Sequence, residues 1–277
     1  MLGRIAFALL WVGVAALPSS AQQSQPLTRH PIVLIHGAAG FDSLGPIDYF
    51  NDVAQSLRGM GAEVLVPSTS PIHRTAHRAA LLKDQILAAY PDPAVKLNLI
   101  AHSQGGLDAR FMITHLGMAD RVASLSTVGT PHRGALHADL LLAGTPGVAE
   151  RLAGQLLGLF GWDPGLVEDV SVRHMALFNA LTPDDPRILY QSWGGQATLT
   201  GFGSPGRLTF VFYPTYVVLR ATQGANDGMV PLSSTRWGVW RGVLPTDHGG
   251  LIGWGFDGWD HVRFYEGVAL ELALLGY

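Results

Sequence analysis

The sequence lacks cysteine altogether, which excludes a disulfide framework and leaves core packing as the means of holding the chain together. It also lacks a basic cluster. Lys and Arg number 18 against 21 Asp and Glu, a formal charge of −3, and no run of them tracks a phosphate backbone, so nucleic acid is excluded as an expected partner. No apolar stretch reaches the roughly 20 residues that span a bilayer, which argues against a transmembrane anchor. Internal repeats and low-complexity tracts are absent as well.

What is abundant is apolar side chains, at 48%, and glycine, at 34 residues. The first supplies one sizeable core for a chain of 277 residues. The second, well above the usual ~7%, points to tight turns and close backbone approaches, and so to an active site built from loops. Residues 1–21 have the makeup of an export signal. Arg4 gives a positive start, Ile5 to Leu17 an uncharged apolar run, and Ser19-Ser20-Ala21 small residues for cleavage. The mature chain is expected to begin near Gln22 and to act in the periplasm or outside the cell. Loss of Arg4 leaves 17 basic against 21 acidic residues, a charge of −4.

From Pro31 onward, strand and helix patterns alternate. Pro31 to Ile35 is a continuous apolar run ending in His36-Gly37 and reads as a buried strand. Ile47 to Met60 has helical spacing, Ala62 to Val66 reads as a strand stopped by Pro67, and Arg74 to Tyr90 as a helix. Lys96 to Ile100 is a third strand, Gln104 to His115 a helix, and Arg121 to Val128 a fourth strand that breaks at Gly129-Thr-Pro131. This alternation predicts parallel βαβ units, an α/β fold whose ligands gather at the carboxyl ends of the strands. Ala135 to Leu181, including the stretch Val148 to Phe160, interrupts the pattern with amphipathic segments. They read either as extra cover for the core or as a mobile lid over a lipid-binding cleft. Arg187 to Trp193 and Val217 to Thr222 are expected to be strands, and Phe264 to Leu275 a closing helix. Trp237, Trp240, Trp254 and Trp259 are assigned to core or cleft wall.

Leu99-Ile-Ala-His-Ser103-Gln-Gly-Gly-Leu107 reads as a strand, a sharp turn and a helix start with Ser103 at the apex, the arrangement of a nucleophile elbow. Ala101 and Gly105 supply the small residues this strained turn demands, with alanine standing where glycine is usual. A serine hydroxyl needs a general base oriented by a carboxylate. Asp227 fits the carboxylate role in the turn-forming Asn226-Asp-Gly228. For the base, His248 in a glycine-rich loop and His261 just before the closing helix are the two candidates. The expected oxyanion hole is formed by the backbone N–H groups of Gln104 and of Ala38, in the loop after the first strand.

Together, His30-Pro-Ile-Val-Leu-Ile-His-Gly37, Gly40-Phe-Asp42, Asp48-Tyr-Phe50, Asn98 to Gly106 and Gly129-Thr-Pro-His-Arg-Gly134 resemble the bacterial true lipases of the Pseudomonas and Burkholderia type. Tyr190 to Trp193, Asn226 to Gly228 and the His248 loop extend the likeness over most of residues 30–270. The resemblance implies an α/β-hydrolase fold over a single domain at 22–277, with a lid insertion at about 135–181. It also implies hydrolysis of acylglycerols and assigns the catalytic base to His248. Members of that family often hold a structural calcium ion with an aspartate about twenty residues before the catalytic aspartate and another two residues after the histidine. Those places here are near Arg207 and at Gly250, so no metal site and no cofactor are expected. A folding chaperone is left open. A short-chain esterase or polyester depolymerase with the same triad, and more remotely a non-catalytic binding protein on a hydrolase scaffold, are the alternatives.

Overall fold

The structure, a computed structural model, describes residues 26–38, 43–44, 47–71, 73–144, 164–199, 206–255 and 257–277. The expected export signal, the stretch Val148 to Phe160 and the Gly40-Phe-Asp42 motif lie outside these residues.

Six strands form one sheet: β1 (Ile32–Ile35), β4 (Val64–Leu65), β5 (Leu97–His102), β6 (Val122–Val128), β7 (Leu189–Gly195) and β8 (Val239–Leu244). Their order is β4-β1-β5-β6-β7-β8 and every pairing is parallel. β1 shows why a run of consecutive apolar residues belongs inside such a sheet. Ile32 and Leu34 pack on one face against α1 (Val53–Gly59) and the terminal helix, whereas Val33 and Ile35 pack on the other against α2 (Thr75–Ala89) and α3 (Gly105–His115). Both faces are covered, so neither side of the strand tolerates polarity.

Two expectations are corrected. Val217 to Thr222 is not a strand but the second half of a helix, Tyr213–Thr222. Pro214 sits in its first turn, where a missing N–H costs nothing. Thr215, Tyr216 and Leu219 face inward at helical spacing, while Val217 is left outside. The sheet position expected for this segment belongs to β8, which carries no continuous apolar run. The helix expected over 47–60 is also shorter. Ser43–Leu44 (β2) pairs antiparallel with Ile47–Asp48 (β3), and α1 starts only after Asp52, whose backbone is left-handed at φ 60°.

The segment after β6 builds α4 (Leu136–Leu142), α5 (Pro164–Asp169) and α6 (Val172–Leu181). Tyr213–Thr222 is α7 and His261–Leu274 is α8. Among the described residues no helix is long and apolar enough to cross a membrane.

Candidate active site

Three of the expected site residues stand where a parallel sheet presents its ligands, just past a strand's carboxyl end, Ala38 after β1, Ser103 after β5 and His248 after β8, while Asp227 follows α7. Ser103 has φ 55°, a left-handed backbone that costs a non-glycine residue of order 1–3 kcal/mol. The strain is held by its surroundings. Ser103 N–H donates to Val128 O at 3.0 Å, and its own carbonyl accepts from Thr130 Oγ1 at 2.8 Å and from Gly106 N–H at 3.1 Å. Gly105 is required by close approach, since a Cβ there would lie 2.7 Å from both Ile35 O and His36 O.

His248 Nε2 lies 3.0 Å from Ser103 Oγ, and His248 Nδ1 lies 2.8 Å from Asp227 Oδ2. Asp227 is completely buried, and its other oxygen accepts the N–H groups of Met229 at 2.9 Å and Val230 at 2.7 Å. The two loops are also joined directly, His248 N–H to Asp227 O at 2.8 Å. The residues alone left two histidines open and the family likeness pointed to His248, which is the one that meets Ser103 here. His261 turns its Nε2 to Asn51 O at 2.8 Å, and the Asp260 side chain before it caps α8 by accepting from Arg263 N–H.

Ala38 and Gln104 line the same cavity as Ser103 and His248. Among the described residues neither of their backbone N–H groups is committed to a protein acceptor, which leaves both free for an oxyanion. The strand-end loop that carries Ala38 is held by residues that sequence reasoning did not single out. Arg78, wholly buried, donates from Nη2 to His36 O at 2.9 Å and Gly37 O at 3.0 Å, and from Nε to Asp108 Oδ2 at 2.8 Å. It also bonds Ser70 O. Burial pushes the Asp108 carboxyl up to about 7, against the pull of Arg78. The signal was present: Arg78 falls on the stripe of Thr75, Ala79, Leu82 and Ile86, and a charge on a core-facing stripe asks for a buried partner.

Tyr49 OH accepts Gly37 N–H at 3.1 Å and pairs with His102 Nδ1 at 2.8 Å, linking the Ala38 loop to the residue before Ser103. Burial pushes the Tyr49 phenol up, and burial followed by the neighbouring His248 holds His102 well below the usual imidazole range. Both are therefore neutral hydrogen-bonding groups at neutral pH.

The cavity over Ser103 is walled by apolar side chains, among them Leu166, Val167 and Val170 from the inserted segment and Met229 and Val230 from beside Asp227. Val167 lines this cavity and also packs in a buried apolar cluster with Ala138, Leu141 and Met229. His137 from α4 completes the wall, and burial pushes its pKa down to about 4.

No family model matches the chain. A triacylglycerol lipase of Vibrio cholerae is 32% identical over 265 residues, 90% of this chain and 76% of that protein. One of Pseudomonas fragi is 32% identical over 256 residues, 80% of this chain and 87% of that protein. The crystal structure of the mature Bacillus licheniformis lipase superposes with a TM-score of 0.70 at 25% identity, over 89% of this chain and 94% of that one. With the α/β-hydrolase architecture and relatives 32% identical over most of its length, the chain belongs to the triacylglycerol lipase family of carboxylic ester hydrolases.

Proposed function

We propose that the protein is an exported triacylglycerol lipase that works through an acyl-enzyme on Ser103. The observation that carries this reading is the unbroken chain from Ser103 Oγ through His248 to buried Asp227, opening into an apolar cavity. Ser103 Oγ attacks the ester carbonyl while His248 Nε2 takes the hydroxyl proton. The tetrahedral oxyanion is received by the N–H groups of Ala38 and Gln104, and the proton passes to the leaving alkoxide as the C–O bond breaks. Water, deprotonated by the same imidazole, then attacks the acyl-enzyme and releases the acid and the free serine. Asp227 keeps Nδ1 protonated and stabilises the imidazolium, while its two backbone bonds keep the carboxylate from turning away.

An oxyanion-hole donor contributes roughly 3–4 kcal/mol to such a step. Because both donors here are main-chain groups, the contribution depends on loop placement, which Arg78 and Tyr49 secure. The apolar cavity wall suits a fatty acyl chain, and the insertion that supplies much of it is read as a lid. The makeup of the N-terminal segment supports export, so that the enzyme would act in the periplasm or outside the cell.

Replacing Ser103 by Ala is expected to lower ester turnover at least about 10⁴-fold without loss of folding. Undiminished turnover by that variant would end the proposal. Rates on p-nitrophenyl esters of rising chain length, set against emulsified triacylglycerol and a polyester film, identify the substrate. A lipase gains rate once substrate exceeds its solubility, a short-chain esterase loses it, and a depolymerase erodes the film.

A further inference from the structure

The calcium ion implied by the family likeness would tie the segment near Arg207 to the loop at Gly250. The residues present do not fit it. Arg207 brings positive charge, and Gly250 is buried so tightly that a Cβ there would overlap Thr246 Oγ1, leaving no room for any side chain. The two segments are tied nonetheless. Asp247, completely buried beside His248, accepts Thr209 N–H at 2.5 Å through Oδ2 and Gly250 N–H at 2.8 Å through Oδ1. Both carboxylate oxygens face N–H donors, the reverse of the oxygen cage a divalent cation requires. Burial pushes the Asp247 carboxyl up, and the Thr209 side chain and the two N–H donors pull it back only in part.

The tie reaches both catalytic loops. Thr209 leads into the turn Phe210–Phe212, and the Phe212 ring stands edge-on to the His248 ring with centroids 6.3 Å apart. Three residues on, Thr215 Oγ1 bonds Gly228 O, next to Asp227. A single strip of backbone, 209–215, thus braces the acid and the base together, and Asp247 fastens its near end.

We infer that Asp247 is a positioning residue that takes the place of a structural cation, fastening residues 209–215 to the histidine loop so that His248 stays aligned with Ser103 without calcium. The inference rests on the triad reading above for its effect on turnover.

The experiment compares the full chain with Asp247→Asn, Thr209→Pro and the double variant, each with chelator and with added calcium. The wild type should keep both kcat and Tm in chelator and gain nothing from calcium. Asp247→Asn turns an amide toward one of the two donors and should lower kcat about tenfold while leaving KM for a water-soluble ester unchanged. Thr209→Pro deletes the N–H together with the Thr209 hydroxyl, and the native φ of −67° is the angle proline prefers, so it should fold and show the same loss. The double variant should lose no more than either single one, because both break one tie. A merely structural role would lower Tm and leave kcat untouched well below it.

Chelator inactivation that calcium reverses would overturn the inference and point to Asp257, whose Oδ2 is buried without a partner. Wild-type kcat in both single variants would overturn it equally. A wild type that turned over no ester would sink the triad reading instead, and the Tm arm would still decide whether the tie exists without metal.

Discussion

The two banks of the active site are built on different terms. On the nucleophile bank, residues 32–38 and 97–106, adjacent buried strands deliver Ala38 and Ser103 side by side, and the positions are enforced by close packing and by one buried ion pair, Arg78 with Asp108. On the acid–base bank, residues 206–250, Asp227 and His248 ride on loops whose places are set by carboxylates accepting backbone N–H groups. The first kind of support is contiguous and strained. The second is assembled from hydrogen bonds across some 40 positions of sequence, from Thr209 to Gly250, and has little strain to hold. The difference implies that loss of the ion pair behind the first bank shows mainly as lost stability, and loss of a carboxylate in the second mainly as lost turnover.

The sharpest way to break that comparison is Asp227→Asn. The amide retains an oxygen for the Met229 and Val230 N–H groups, so stability should hold, while the loss of charge and of tautomer control should lower kcat roughly 10⁴-fold. A large fall in Tm alongside would refute the division between the banks. Next comes Arg78→Met on the other bank. It leaves Asp108 buried and unpaired and should cost about 3–5 kcal/mol, measured by denaturant unfolding, with activity falling because the Ala38 loop is released.

His137, in the cavity wall between the banks, gives an effect that depends on pH. Its imidazole titrates at about 4 in the fold against an ordinary 6.5 in the unfolded chain. The unfolded state therefore binds more protons between those values. The stability tied to the neutral ring is present above pH 6.5 and is lost as pH falls toward 4. His137→Leu should flatten that stretch of the stability–pH curve by about 3 kcal/mol, and an unchanged slope would show that another group carries it. The smallest effect is expected from Tyr49→Phe, which strands Gly37 N–H and His102 Nδ1 and should lower kcat about threefold to tenfold. If it destabilised the fold more than Arg78→Met, the ion pair would not be the main support of its bank.

Much of the nucleophile bank could be read without coordinates because its residues are neighbours along the chain. The mostly apolar strand Leu97–His102, the small residues near Ser103 and the following helix form one continuous signal. The acid–base bank was legible only as single residues in turns, and its supporting elements were misread. β8, at the sheet edge, alternates in exposure through Trp240, Arg241 and Gly242 and shows no buried run. α7 contains the β-branched pair Val217-Val218, whose strand preference yields once Pro214 starts a helix and Tyr216 and Leu219 find the core. Asp247 and Asp108 carried no legible role at all. A carboxylate's partners are backbone groups or a distant cation, and neither leaves a pattern in composition or spacing.

By itself the sequence determined the βαβ alternation and the serine at a strand-to-helix turn, which depend on local periods of polarity and on turn chemistry within a few residues, while the family was read from the resemblance of whole motifs to bacterial lipases. Only the tertiary structure set His248 beside Ser103 and turned His261 to Asn51, paired Arg78 with Asp108, and brought Thr209 to Asp247. Each of those outcomes joins residues that meet only after the sheet has closed, when burial removes water and makes a hydrogen-bond partner obligatory.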